Sequence, residues 1–399
     1  MVYMEIKRHI LANLLEDFND RNTAIMVGAR QAGKTFLLKK IEAEAIARGS
    51  QTSFFDLEQP DVLARFNTSD DEIVKLLCGS GEIIFIDEFH YIKNASHIFK
   101  AIFDRGKKGK IYASGSSSLE IHKHLKESLA GRKIIYQIYP CSFAEVGQVI
   151  TKHTFEYYCK YGGMPALIHT ENENKKMLIL TDILQSYLMK DIKSLIKEEN
   201  IRAFNSLLFL LAQYQGSIVT TSSLAKEVGL TARTIESYLE ILSQTYVNFP
   251  LHSFSLNYGN ELKKSKKYYL YDLGIRNALL KNFAPLGDRK DTGAIVESFV
   301  FLELNKRLSP ETEIRFWKLK DGTEVDFIWI KNQKPYPIEV KTSCRQGEIP
   351  KGITAFINRY PDTKKAFVVN NNFSGEATYR DARIYFVKLK DAALVPDQV

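Results

Sequence analysis

The stretch Gly28-Ala29-Arg30-Gln31-Ala32-Gly33-Lys34-Thr35 follows the apolar run Ala24 to Val27 and precedes Phe36-Leu37-Leu38. It fits G-x-x-x-x-G-K-[ST] at every fixed position, in the strand-to-helix context that the motif requires. Such a loop lets successive backbone N–H groups converge on an anion, and the following helix adds the positive end of its dipole. Lys34 is expected to reach the β and γ phosphates of a nucleotide, and the Thr35 hydroxyl to hold Mg²⁺. The expected nucleotide contacts run from Gly28 through Ala29, Arg30, Gln31, Ala32, Gly33, Lys34 and Thr35 to Phe36.

A second chemical element is Glu82-Ile-Ile-Phe-Ile-Asp87-Glu88, an apolar strand ending in two acids. In open α/β sheets ligands bind at the carboxyl ends of strands. There Asp87 is expected to help hold the magnesium and Glu88 to orient or deprotonate the attacking water, which favours hydrolysis over transfer to an alcohol. The strand beginning at Lys110 runs into Gly115-Ser-Ser-Ser118, where Ser114, or second to it Ser116, is placed to contact the γ-phosphate or the attacking water. The alternative is a helix cap. Arg132 is a candidate arginine finger, worth about 10³ to 10⁵ in rate if it reaches a γ-phosphate. The alternative is an ordinary surface arginine.

Nearer the carboxyl end, Asp326, Glu339 and Lys341 sit on the expected strands TEVDFIWI and YPIEVKTS, joined by the turn residues KNQKP. Because side chains alternate across a strand, Glu339 and Lys341 share a face. If Asp326 lies on that face too, two carboxylates and an ammonium meet at one point, with Glu297 on the helix before them; the alternative is an exposed hairpin with ordinary alternating charges. Two carboxylates about 4 Å apart repel by roughly 4 kcal/mol at an effective dielectric of 20. Such a cluster calls for a counter-ion, and Mg²⁺ or Mn²⁺ fits oxygen ligands. The chemistry expected there is activation of water against a phosphodiester, with Lys341 stabilising the developing charge.

These residues must be held by several kinds of element. Up to about Tyr139, apolar runs alternate with helical patterns, as in a parallel sheet with helices on its faces: TAIMV, Thr52–Leu57, Glu82–Asp87, Lys110–Ser114 and Lys133–Tyr139. The middle reads as helical, with TDILQSYLMKDIKSLI as a long amphipathic helix. Two shorter helices meet at Gly229, followed by NFPLHSFSLN and KKYYLYD as the strands of a wing. On the second of those helices Ile235, Leu239 and Leu242 face inward while Arg233, Glu236, Ser237 and Glu240 face out, an acidic surface that opposes reading of DNA. GAIVESFVFLELNKRL then reads as an amphipathic helix ahead of the last strands.

The whole is 399 residues, 45% hydrophobic and 26% charged, an average globular composition with two or three domains' worth of chain. Its net charge of +8 permits a polyanionic partner without requiring one. KKSKK at Lys263–Lys267 reads as a solvated run able to touch phosphates. Cys78, Cys141, Cys159 and Cys344 lie far apart without C-x-x-C spacing, against a disulfide framework or a zinc site. No apolar run approaches a membrane span, so the expectation is a cytoplasmic protein without a membrane partner.

GARQAGKT, FIDEFH, ASGSSS, SLAGRK, YGGMP, YYLYDLG, GAIVESFVFLEL and EVDF followed by IEVKTS together resemble bacterial and archaeal AAA-type ATPases with an N-terminal P-loop domain and a C-terminal region of unknown function. The resemblance implies an α/β fold: a P-loop NTPase parallel sheet with flanking helices, in which the GSSS strand lies between the strands of the P-loop and of the acidic pair. A helical and winged-helix domain and an α/β module similar to PD-(D/E)xK nucleases follow. The implied boundaries are 1–147, 148–202, 203–285 and 286–399. Glu297, Asp326, Glu339 and Lys341 match the nuclease-like signature. Ala29 and Ala32 replace the Pro and Val frequent in relatives, and Phe89-His90 replaces an apolar-Gln pair. The expected cofactors are ATP and Mg²⁺, with Mg²⁺ or Mn²⁺ at the C-terminal site. The expected partner is DNA or RNA, or instead a protein bound by an ATP-gated scaffold. If Arg132 acts in trans, a homo-oligomer follows.

Overall fold

A computed structural model describes residues 5–105, 109–116, 129–186, 201–255 and 266–399. The long helix expected from Thr181 is described only to Ser186, and the side chain of Ser116 lies outside the described residues. The chain packs as two compact units. The first takes the chain up to Cys141 together with Met164–His169 and Ile241–Val247, and the second takes Ser142–Gly163, Thr170–Glu240 and Asn248–Val399.

The first unit is built on β1 (Thr23–Gly28), β2 (Thr52–Asp56), β3 (Ile83–Asp87), β4 (Lys110–Ser116) and β5 (Lys133–Gln137). All neighbours are parallel, in the order β2-β3-β4-β1-β5. The strand carrying Ser114 therefore lies between those carrying the P-loop and the acidic pair, as the resemblance implied. β1 and β3 are buried along their whole length because helices cover both faces. Ile25, Val27, Ile84, Ile86, Ile111 and Ala113 point into one core, and Ala24, Met26, Phe85 and Tyr112 into the other. Phe85 and Tyr112 stack at 5.5 Å in that second layer. This is an α/β unit with the P-loop NTPase sheet.

In the second unit come the helix Ile201–Gln213, the short β6 (Ile218–Val219), the helix Thr221–Val228 and the helix Ala232–Gln244 as far as Glu240, its last residues belonging to the first unit, then β7 (Asn248–Leu251) and β8 (Lys266–Leu270), which pair antiparallel. Ile235 and Leu239 are buried, and Arg233, Glu236, Ser237 and Glu240 are exposed, as their spacing predicted. The helix Thr292–Asn305 departs from expectation. It is buried from Ser298 through Asn305 without a break, so it is enclosed rather than amphipathic.

Beside it lies a mixed sheet in the order β13-β14-β12-β11-β10-β9, comprising β9 (Thr312–Lys318), β10 (Glu324–Lys331), β11 (Lys334–Lys341), β12 (Lys365–Asn370), β13 (Gly375–Tyr379) and β14 (Ala382–Lys388). The β10–β11 hairpin closes on Asn332 and Gln333, with φ of 50° and 63°. Two left-handed residues are what a two-residue turn between twisted strands requires. The helix Lys351–Arg359 packs on this hairpin, and Gly352 is needed there because a Cβ would stand 2.1 Å from the Glu324 carbonyl oxygen.

The motifs YGGMP and YDLG serve each other. Asp272 accepts from Ile275 N, capping its own helix, and from Gly163 N at 2.8 Å. A Cβ on Gly162 would meet the Asp272 carboxylate, and one on Gly274 would lie 2.1 Å from the Tyr161 carbonyl oxygen. Asn277 adds bonds to the Cys159 and Lys160 carbonyls, fixing the end of the helix Thr154–Tyr161.

Candidate nucleotide site and a second acidic cluster

The P-loop leaves β1 at Gly28, where the backbone runs so close to Ile138 that a Cβ would sit 2.1 Å from its carbonyl oxygen. Gln31 (φ 59°) and Gly33 (φ 98°) are left-handed, the alternation that turns backbone N–H groups toward one point. The helix Lys34–Ala47 starts at that point. Lys34 is buried, and its Nζ donates to the Gly28 and Ala29 carbonyls at 3.1 and 3.0 Å. Burial pulls its pKa below the ordinary lysine value, although Glu88 and Asp87 oppose this.

Asp87 ends β3 and is buried. Its carboxylate accepts from the Ser114 hydroxyl and also from Thr35; burial raises its pKa while these two bonds lower it, with a net rise. Ser114 thus touches Asp87, a role that the strand-exit reading did not anticipate. Glu88 follows with φ 55°, a strained conformation for a residue with a side chain. Its Oε2 is 3.1 Å from His90 Nδ1. Glu58, just past the end of β2, has its pKa raised by burial and by Glu88, and lowered by Arg30. Asp56 lies opposite Asp87 in the sheet, so acids line this edge from two strands. Phe36 is exposed at 42%, with Lys40 Nζ 5.5 Å above its ring.

Sequence reasoning missed Arg8. Its guanidinium is buried and donates to Ala32 O at 3.0 Å and to Tyr139 O at 2.7 Å, bracing the P-loop against the exit of β5. Nothing near Arg8 in sequence signals this, because both partners are distant main-chain carbonyls.

Arg132 is placed elsewhere. Its carbonyl accepts from Thr23 N at the start of β1, whereas the P-loop begins at the other end of that strand. The two are about 17 Å apart along the strand at roughly 3.3 Å per residue. Its Nε pairs with Asp104 at 2.9 Å. The structure does not bring Arg132 to the nucleotide site of its own chain.

In the second unit, Asp326 is buried on β10 beside a register shift, and its Oδ2 accepts from Val340 N at 2.8 Å. Burial, then Glu339 and Glu297, hold its pKa well above the usual carboxylate range, against Lys267 and the Val340 amide. Glu339 is buried; burial raises its pKa, against Lys341, whose Nζ donates to Oε1 at 2.7 Å. Glu339 Oε2 is buried with no hydrogen-bond partner. Glu297 accepts from Lys267 Nζ at 3.0 Å and from the Tyr269 hydroxyl at 2.5 Å. Lys267 corrects the reading of KKSKK: it is 2% exposed and turned inward, so it cannot serve as a solvated phosphate contact. Burial opposes its charge, but Glu297 and Asp326 hold its pKa above the ordinary lysine value. Among the described residues no group of three acidic, histidine or cysteine side chains is arranged to hold a metal ion. The counter-charge expected from a divalent cation is supplied in part by Lys267 and Lys341.

Residues 20–147 match the family model of the AAA domain. This part of the chain is similar to AAA domains. Residues 152–286 and 292–391 match two domains of unknown function, DUF8612 and DUF4143. An uncharacterized protein of Methanocaldococcus jannaschii is 28% identical over 329 residues, covering 76% of this chain and 71% of its own length. One of Haemophilus influenzae is 26% identical over 350 residues, covering 81% and 83%. Among solved structures, AMPPCP-bound DnaA from Aquifex aeolicus is similar at a TM-score of 0.33 and 14% identity, covering 59% of this chain and 86% of that one. The Aeropyrum pernix ORC1 protein in complex with DNA gives 0.29 and 12%, covering 70% and 94%. Likeness this low carries no inference about ligands. Among the described residues no helix is long and apolar enough to cross a membrane. Cys78, Cys141, Cys159 and Cys344 are all free thiols.

Proposed function

We propose that the first unit binds ATP with Mg²⁺ and hydrolyses it, and that this cycle controls the second unit. The observation that carries the reading is the Thr35–Asp87–Ser114 cluster beside Lys34 and Glu88. A hydroxyl and a carboxylate in contact are hard oxygen donors, and Mg²⁺ keeps several waters and asks for only one or two protein ligands, so these residues fit it. Thr35 and Asp87 would hold the ion, which when bound neutralises phosphate charge. Lys34, released from the loop carbonyls, grips the β and γ phosphates, and Glu88 takes a proton from the attacking water. Lys34→Ala abolishes nucleotide binding, whereas Glu88→Gln binds ATP and turns it over at least about 10²-fold more slowly. Equal turnover by Glu88→Gln and the wild type removes Glu88 from the mechanism.

For the second unit we infer hydrolysis of a phosphodiester in nucleic acid. The support is an orphaned carboxylate oxygen on Glu339, buried next to Asp326 and Lys341, where a divalent cation would find donors. The order of helix, strand, two helices and antiparallel strand pair ahead of it supports reading that part as a winged helix. The competing reading is an ATP-gated scaffold for a protein, with the acidic cluster silent. It is favoured by the Lys267 and Tyr269 bonds that already occupy Glu297 and by the acids on the outer face of the helix Ala232–Gln244. Incubation with plasmid and single-stranded DNA in Mn²⁺ separates the two. Cleavage lost in Asp326→Ala supports the first; no cleavage by the wild type supports the scaffold.

A further inference from the structure

The second unit contains a cavity of about 340 Å³ between the helices Thr154–Tyr161 and Glu173–Ile183 and the segment Ala284–Arg289. Its floor is aromatic. Tyr157 and Tyr161 lie 5.4 Å apart, and Phe283 stacks on Tyr161 at 6.1 Å. Pro285 and Leu286 extend the apolar wall.

The charges around it are unevenly committed. Arg289 is engaged by Asp291 at 2.8 Å. Lys160 is engaged by Glu173 at 3.1 Å. Lys152, His153 and Glu156 are exposed at the mouth. Lys176 differs from all of these. It is only 7% exposed, and its Nζ lies over both tyrosine rings, 4.7 and 4.8 Å from their centroids. No carboxylate pairs with it among the described residues. A cation over ring faces gains about 0.5–2 kcal/mol, but the rings accept none of its three N–H donors in the way an oxygen does. The ordinary reading is that the tyrosines alone compensate the charge. Against this, burial keeps the ammonium pKa below its usual value, with Glu173 opposing and Lys160 adding to the fall.

We propose that this cavity is a binding site for a small aryl carboxylate, its ring on the Tyr157–Tyr161 floor and its carboxylate on Lys176. One available ammonium matches one negative charge, and the volume falls within the range typical of small-molecule sites. None of the residues lining it belongs to the proposed nucleotide site or to the Asp326 cluster, so it stands whether or not the proposed activities do.

The test is calorimetric titration of the full-length protein with benzoate, benzyl alcohol and phenyl phosphate. Benzoate is expected to bind saturably, and the alcohol, similar in size but neutral, at least about tenfold more weakly. At alkaline pH, binding should take up protons, seen as an enthalpy that depends on the buffer, because the anion favours the ammonium that burial disfavours. Lys176→Met should weaken benzoate at least about tenfold, Lys176→Arg should recover part of it, and Lys152→Ala should change it less than about twofold. Three results on the wild type alone would overturn the assignment: no saturable benzoate binding, equal binding of the alcohol, or tighter binding of phenyl phosphate. Undiminished binding by a folded Lys176→Met protein would do the same.

Discussion

Replacing Arg8 with alanine tests whether the P-loop is held from beneath or stands by itself. The guanidinium donates to Ala32 O at 3.0 Å and to Tyr139 O at 2.7 Å, both bonds being charge-assisted. A hydrogen bond from a charged group contributes about 1.5–3 kcal/mol, so the pair contributes about 3–6 before relaxation. Water entering the truncated site recovers some of this, leaving an expected loss of about 3 kcal/mol in the first unit. The nucleotide site suffers as well. Arg8 Nη1 stands 3.1 Å from where a Cβ on Gly33 would be, directly beneath the loop that converges its amides on phosphate. A loop ordered only on binding costs affinity, and about 1.4 kcal/mol of ordering is a tenfold rise in Kd. Urea unfolding and titration with a fluorescent ATP analogue measure the two effects. Arg8→Lys should fall between, since one ammonium lacks the planar fork that spans two carbonyls. If Arg8→Ala unfolds within about 0.5 kcal/mol of the wild type and binds ATP equally, the bracing role is wrong.

Two further outcomes concern the second unit. Burial, with Lys266 and Arg315 nearby, lowers the His252 pKa from 6.5 to about 4. Between those values the unfolded chain binds a proton that the folded one refuses, so stability is full above pH 6.5 and declines as pH falls toward 4. The half-exposed imidazole limits the effect to about 1 kcal/mol, and His252→Gln should lose that part of the pH dependence in urea melts at pH near 7 and near 4.5; an unchanged slope refutes it. Lys267→Met strips Glu297 of its cation and should destabilise by about 3 kcal/mol, with Lys267→Met/Glu297→Met recovering more than half; a single variant as stable as the wild type means the pair contributes nothing.

What could be read from the sequence was local or periodic. The P-loop declares itself through fixed positions inside one turn of chain, and the sheet through apolar runs whose alternation the two cores reproduce. The β10–β11 hairpin was legible for the same reason: its turn and both strands are contiguous. Arg8, Lys267 and Lys176 were not legible, because a lysine or arginine that turns inward has the same letter as one in solvent, and its partner lies tens or hundreds of residues away. Lys267 shows the cost of that ambiguity. A run of basic residues suggested a solvated surface, while one member of it closes an ion pair with Glu297 at 3.0 Å. Arg132 shows the converse, since only the parallel register of β1 and β5 tells which end of the sheet it occupies.

The first unit is not one continuous piece of chain. Met164–His169 and Ile241–Val247 pack with residues that the ribosome has delivered long before. A fragment ending at residue 147, where the AAA domain match stops, would therefore leave bare the faces these segments cover. During synthesis the first unit cannot finish closing until Val247 has emerged, by which time the helix at Thr221 and most of the one at Ala232 are already made. Anyone dissecting this protein into parts should expect poor solubility from the short fragment and should keep the chain whole when measuring nucleotide affinity.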